Sequence, residues 1–168
     1  MYQSGKESEE RAPKRWSFKE AKLKIAAYCA YQDRCQQEVR TKLRERGVYG
    51  DDAEELISLM ITEKFLDEER FAKAFARGKF SQNHWGKIKI TLELKRRDIS
   101  PRLIQTALKE LDAEAYWEKM QQLAEKKWGN RKGKDTFKEK QAVLRYLLGK
   151  GYEHALATEV IANLEEEN

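Results

Sequence analysis

Two prolines, two cysteines and two histidines are all that this chain of 168 residues carries, and each scarcity removes a class of protein. With proline only at Pro13 and Pro101, little interrupts helix formation along the chain. Cys29 and Cys35 stand six apart, too few for a disulfide framework or a metal cluster, and read as small core side chains kept as thiols in a reducing compartment. His84 and His154 lie 70 residues apart with no carboxylate or cysteine grouping at ligand spacing, so neither a metal nor another cofactor is expected. No apolar run approaches the ~20 residues of a membrane span. The first residues, MYQSGKESEERAPKRW, lack the apolar stretch of a signal peptide. They are expected to form a disordered tail over residues 1–16, and the protein is expected in the cytoplasm.

Charge is what the chain has in abundance. Charged residues make up 38% of it, mean hydropathy is -0.90 and the formal net charge is +5. The signs are sorted. Residues 70–102 carry ten Lys/Arg against Glu93 and Asp98, and residues 126–150 carry nine against Asp135 and Glu139. Acidic residues gather elsewhere, from Asp51 to Glu69 and again at Glu165, Glu166 and Glu167. Sorting of this kind suits a polyanion or an acidic protein surface as a partner.

One pattern is written three times. Aligning Val48, Ile99 and Tyr152 without gaps superposes Val39, Ile90 and Val143 nine positions earlier, and Leu43, Leu94 and Leu147 five earlier. Later positions match as well: Ala53, Ile104 and Ala157; Leu56, Ala107 and Val160; Ile57, Leu108 and Ile161; Met60, Leu111 and Leu164. Spacings of three and four on both sides of a fixed corner mean two helices joined by a short turn. With a further helix ahead of each hairpin, the pattern predicts an all-α fold of three tandem three-helix repeats, about nine helices in an elongated, curved array. The expected repeats cover residues 17–66, 67–111 and 112–168. Such an array with polar outer faces is expected to be a monomer.

Local signals set the helix ends. Ser17 with Glu20 forms a capping box for a helix from Phe18 to Tyr31, whose small-residue face is read as Leu23, Ala26, Ala27 and Ala30. Gly47 closes the second helix, and Asp51 with Glu54 is expected to cap the third. Asp67 caps a fourth, with Phe71, Ala74 and Phe75 as its stripe. Ser100 followed by Pro101 opens the sixth. A helix from Ala113 to Trp128 follows, and Thr136 with Glu139 is read as another capping box.

Enzymes find little support. The loop from Gly129 to Thr136 superficially resembles a phosphate-binding loop, but it is one residue short, has Asp135 in place of Ser/Thr and follows a helix instead of a strand. No nucleophile and base are paired, and no carboxylate pair sits in an apolar setting. A freestanding nucleic-acid-binding protein is the alternative: Lys/Arg-rich helices interleaved with Phe80, Trp85 and Trp128 would contact single- or double-stranded DNA non-specifically. Against groove reading, the third helix of each repeat spends its apolar face on packing, and in the first repeat its outer face carries Asp52, Glu54 and Glu55.

Three stretches, FLDEERFAKAF, WGKIKITLELKRRDI and EVRTKLRERGV, give the chain its resemblance to the RecX family, the regulators of the RecA recombinase. The resemblance runs from the first helix to the C-terminus. Cys35 departs from it where the family commonly has a helix-starting Ser, and Asp98 where Gly often precedes the Ile. The resemblance implies a non-enzymatic protein that binds the RecA-DNA filament, lies in its groove and inhibits or modulates its ATPase, recombinase and co-protease activities in DNA repair and the SOS response. Within that reading the basic blocks nominate Lys87, Lys89, Arg96, Arg97, Arg131, Lys132 and Lys134 as partner or DNA contacts. Asp67, Arg70, Phe71, Trp85 and Gly86 carry the family motif and are expected to be mainly structural.

Overall fold

The computed structural model describes residues 12–131, 133 and 135–166. Among them nine α-helices follow one another: α1 (Phe18–Tyr31), α2 (Gln36–Glu45), α3 (Asp51–Thr62), α4 (Glu68–Asn83), α5 (Lys87–Arg96), α6 (Pro101–Leu108), α7 (Ala113–Gly129), α8 (Thr136–Lys150) and α9 (His154–Glu166). They form two compact units, Met1–Leu66 and Asp67–Asn168. In the first, α1, α2 and α3 all pack on one another; in the second, α4 packs on α5 and α6, and α7, α8 and α9 close on each other.

Every position of the threefold alignment is buried, from Val39 and Leu43 in the first copy to Ile161 and Leu164 in the third. The corner between the two helices of each hairpin is also the same bond made three times. Val48 N donates to Leu43 O at 2.9 Å, Ile99 N to Leu94 O at 3.2 Å and Tyr152 N to Leu147 O at 3.1 Å. The residue just before each donor is left-handed, with φ of 75° at Gly47, 57° at Asp98 and 96° at Gly151. This is the Schellman closure, in which one left-handed residue lets the chain turn back on the last helical carbonyls and lays an apolar residue against the helix it has just left. Asp98 adopts the conformation that glycine would take with less strain.

Several caps stand where the sequence puts them: Ser17 Oγ accepts from Glu20 N at 3.1 Å, Asp67 Oδ1 from Arg70 N at 3.0 Å, and Ser100 Oγ from Leu103 N at 3.3 Å. Cys35 begins α2 from a fully buried position, and Glu38 reaches back to accept from its N–H at 3.2 Å. Three expectations are corrected. Gly50, at φ 67°, is the N-cap of α3, so Asp51 lies in the first turn, where its charge still favours the helix dipole, and Glu54 instead takes a bidentate bond from Arg40. Asp135 caps α8 in place of Thr136, accepting from Lys138 N at 3.2 Å, while Glu139 accepts from Gly133 N at 3.1 Å. The buried stripe of α1 is Ala21, Ile25 and Cys29, and Leu23 is 68% exposed. Residues 25–30 are all apolar or aromatic, so two faces of α1 fit helical spacing, and the one with Ala21, Ile25 and Cys29 packs into the core with Val39, Leu43 and Leu56. In α4 the buried residues are Phe71, Ala72 and Ala76, with Ala74 and Phe75 half-buried at the rim.

The segment ahead of α1 is tied down where it is described: Trp16 N donates to Arg46 O at 3.0 Å, and the Arg46 guanidinium lies 5.2 Å from the Trp16 ring centre. Residues 1–11 of the expected tail fall outside the described residues.

Candidate functional site

The second unit brings four of the nominated residues, Trp85, Gly86, Lys87 and Lys89, to one junction, where α4 ends and α5 begins. Helix α4 stops at His84, left-handed at φ 59°, and Trp85 N returns to Lys79 O at 3.1 Å. Gly86 then runs against the backbone of the third repeat's corner. Its N–H donates to Lys150 O at 2.8 Å and that of Ile88 to Gly151 O at 2.9 Å. A Cβ on Gly86 would lie 2.4 Å from the Gly151 carbonyl carbon, and one on Gly151 would lie 2.3 Å from Lys89 Cβ. Both positions therefore need glycine for close backbone approach. Tyr116 completes the joint: its hydroxyl accepts from Lys87 N at 2.9 Å and donates to Glu153, while Tyr152 donates to His84 O at 2.9 Å. Burial, with the Glu153 bond in the first case, raises the pKa of Tyr116 and Tyr152 well above the ordinary phenol value.

Cations surround Trp85. Lys79 and Lys89 place Nζ 4.9 and 4.6 Å from its ring centre, Trp85 meets Phe75 edge-on at 6.4 Å, and the Arg97 guanidinium lies 4.9 Å from the Phe75 centroid. Lys87 sits 4.9 Å from the Tyr116 ring. Such pairs hold ammonium groups near the surface by their stems and by the ring quadrupole, leaving part of each head for solvent or a partner. The outward face of α5 adds something the charge pattern did not reveal. Ile88 and Leu92 are 47% and 51% exposed, and Lys95 continues the same stripe at helical spacing.

The remaining nominated residues divide. Arg96 and Arg97 both pair with Glu93, Arg97 at 3.1 Å; these bonds, that of Arg97 first, hold the Glu93 carboxyl below its usual pKa. Arg131, just past the end of α7, donates to Trp128 O at 3.0 Å and stacks on the Trp128 ring at 4.4 Å. Lys132 and Lys134 fall outside the described residues. Asp67 is the N-cap of α4, Arg70 is exposed in its first turn, and Phe71 is buried. Trp128 is buried in α7 and presents no free ring to a base, and Phe80 has one ring face stacked on Tyr116 at 5.7 Å. Among the described residues no group of His, Cys, Asp or Glu could hold a metal, and no helix is long and apolar enough to cross a membrane.

Family models describing the first, second and third three-helix domains of RecX match residues 21–58, 67–108 and 114–161. The chain belongs to the RecX family. It is 30% identical over 152 residues to regulatory protein RecX of Clostridium acetobutylicum, covering 88% of this chain and 70% of that one. It is 29% identical over 143 residues to regulatory protein RecX of Lactobacillus johnsonii, covering 84% of this chain but 52% of the relative. The chain thus spans between about half and 70% of the length of these relatives. The crystal structure of RecX from Lactobacillus salivarius superposes with a TM-score of 0.79 at 23% identity, covering 88% of this chain and 96% of that one. At that identity the RecX likeness speaks to the fold, and it is the fold of three three-helix repeats.

Proposed function

We propose that this protein is a non-enzymatic regulator that binds the RecA-DNA filament and restrains its activities, with α5 as the principal contact. One observation carries the choice of surface: Ile88 and Leu92 stand exposed on α5 with Lys87, Lys89, Lys95 and Arg96 around them. An apolar centre with a basic rim suits a protein surface that carries carboxylates of its own. A bare phosphate backbone uses the rim and wastes the centre. Family membership supports the same reading. The expected effects are lower RecA ATPase turnover, strand exchange and co-protease activity, in the cytoplasm, by a monomer.

The test is RecA ATPase inhibition by the protein and by a charge-reversed variant at Lys87, Lys89, Lys95 and Arg96, each at low and moderate salt. Loss of inhibition in the variant is expected, with the wild type weakening as salt rises. Unchanged inhibition would remove α5 from the interface. Binding to bare single-stranded DNA, measured in parallel, separates the alternative: tight DNA binding without any effect on RecA would favour a freestanding nucleic-acid-binding protein, for which the lysines flanking Trp85 are the supporting feature.

A further inference from the structure

On another face of the second unit, α7 presents Lys119, Lys126 and Lys127 to a cleft of about 360 Å³, closed by His84 from the end of α4 and by Tyr146 from α8. We infer that this cleft binds a nucleotide-sized polyphosphate, with the three ammonium groups on the linked phosphates and the His84 and Tyr146 rings beside the rest of the ligand.

Charge makes the first part of the case. The residues lining the cleft include no carboxylate, although α7 itself carries exposed Glu118 and Glu125. Helical spacing sorts them: 119, 126 and 127 fall on the cleft side, whereas 118 and 125 do not. Three lysines on a concavity whose lining residues include no carboxylate create a positive potential that an anion relieves. Lys119 is partly oriented by a 3.4 Å bond to Gln122, and Lys127 lies 5.6 Å from the Tyr146 ring. Lys119 and Lys126 are two turns apart, about 10 Å along the axis, a distance that a chain of linked phosphates spans better than a single phosphate.

Shape and the histidine make the second part. The volume lies at the lower end of the range for small-ligand sites, roughly 300–1,000 Å³, and suits a small anion better than an extended strand. His84 holds a left-handed backbone, φ 59° and ψ 34°, at a helix end where glycine is the usual choice. Its Nδ1 is buried without a protein hydrogen-bond partner, an unsatisfied polar atom on a residue that lines the cleft. The next residue is Trp85, so occupancy would be felt at the junction that carries the lysines of α5.

The chain has two histidines, His84 and His154, which makes the His84 imidazole a site-specific NMR reporter in the full-length protein. Titration with ATP and with inorganic tripolyphosphate, at about 0.15 M salt, should move the His84 signal to saturation while His154 stays in place; AMP should bind about tenfold more weakly. The double variant Lys126→Gln/Lys127→Gln should lose about tenfold or more in affinity for ATP, and Lys87→Gln/Lys89→Gln should retain it. The inference is overturned if neither polyphosphate moves His84, if AMP matches ATP, if the α5 variant loses as much as the α7 variant, or if a short oligodeoxynucleotide alone gives the saturable shift. None of these outcomes depends on RecA, so this inference and the proposed function fail separately.

Discussion

Gly86 is the residue whose role is most sharply constrained. A methyl group there meets backbone atoms of Gly151 and Tyr152 within 2.5 Å, and backbone yields less readily than a side-chain tip. Gly86→Ala is therefore expected to destabilise the protein by about 2–3 kcal/mol in chemical denaturation. Gly149, inside α8 with nothing within 4 Å of its would-be Cβ, is the counterpart: Gly149→Ala should stabilise by up to ~1 kcal/mol. Asp67→Ala should cost about 1 kcal/mol as a lost cap and, on the proposed function, leave inhibition of RecA proportionate to the folded fraction. A variant of wild-type stability that no longer binds would instead make Asp67 a contact. Tyr116 adds a pH dependence. Its folded pKa, like that of Tyr152, is raised above the ordinary value of 10.0, so the unfolded chain loses these protons first as pH rises. Stability from both groups is complete below about pH 10 and is lost above it. Tyr116→Phe should be less stable at neutral pH by about 1–2 kcal/mol yet show a shallower alkaline decline, a comparison that unfolding midpoints between pH 8 and 11 would make.

Among the elements, α5 carries the most divided labour. Ile90 and Leu94 are fully buried, Glu93 gathers Arg96 and Arg97, and Ile88 and Leu92 face outward. Replacing the two exposed residues by serine should change stability by about 0.5 kcal/mol or less while weakening RecA inhibition several-fold, which thermal unfolding and an ATPase titration on one sample would distinguish. The threefold core of α2–α3, α5–α6 and α8–α9 was legible because a spacing of three and four is a local property of a helix and of the residues it buries. The face of α1 was not, since residues 25–30 offer apolar side chains on every side. Nor was the cap of α3, where Gly50 took the position assigned to Asp51. The first depends on where α2 and α3 pack against α1, the second on a left-handed turn at Gly50 that favours glycine.

At the scale of the molecule, charge is sorted between repeats that share one architecture. The third helix of the first repeat shows Asp52, Glu54 and Glu55 to solvent, whereas the second helix of the second repeat shows Lys95 and Arg96. The three hairpins share one buried pattern and differ in the charge they display. On the proposed function the whole-molecule prediction is electrostatic: raising ionic strength should reduce affinity for the RecA filament, and a charge-neutralised α5 should flatten that salt dependence as well as lower the affinity.

The sequence by itself determined the helices, their three tandem hairpins, the apolar pattern of each hairpin and the glycine corner at Gly47. Each of these follows from interactions within a few residues of chain, where spacing and backbone freedom decide. Tertiary structure alone decided that Gly86 would meet Gly151, that the Tyr116 hydroxyl would bridge Lys87 and Glu153, and that His84 and Tyr146 would close a cleft over the lysines of α7. These pairings join residues far apart in sequence, and the docking of whole helices brings them together.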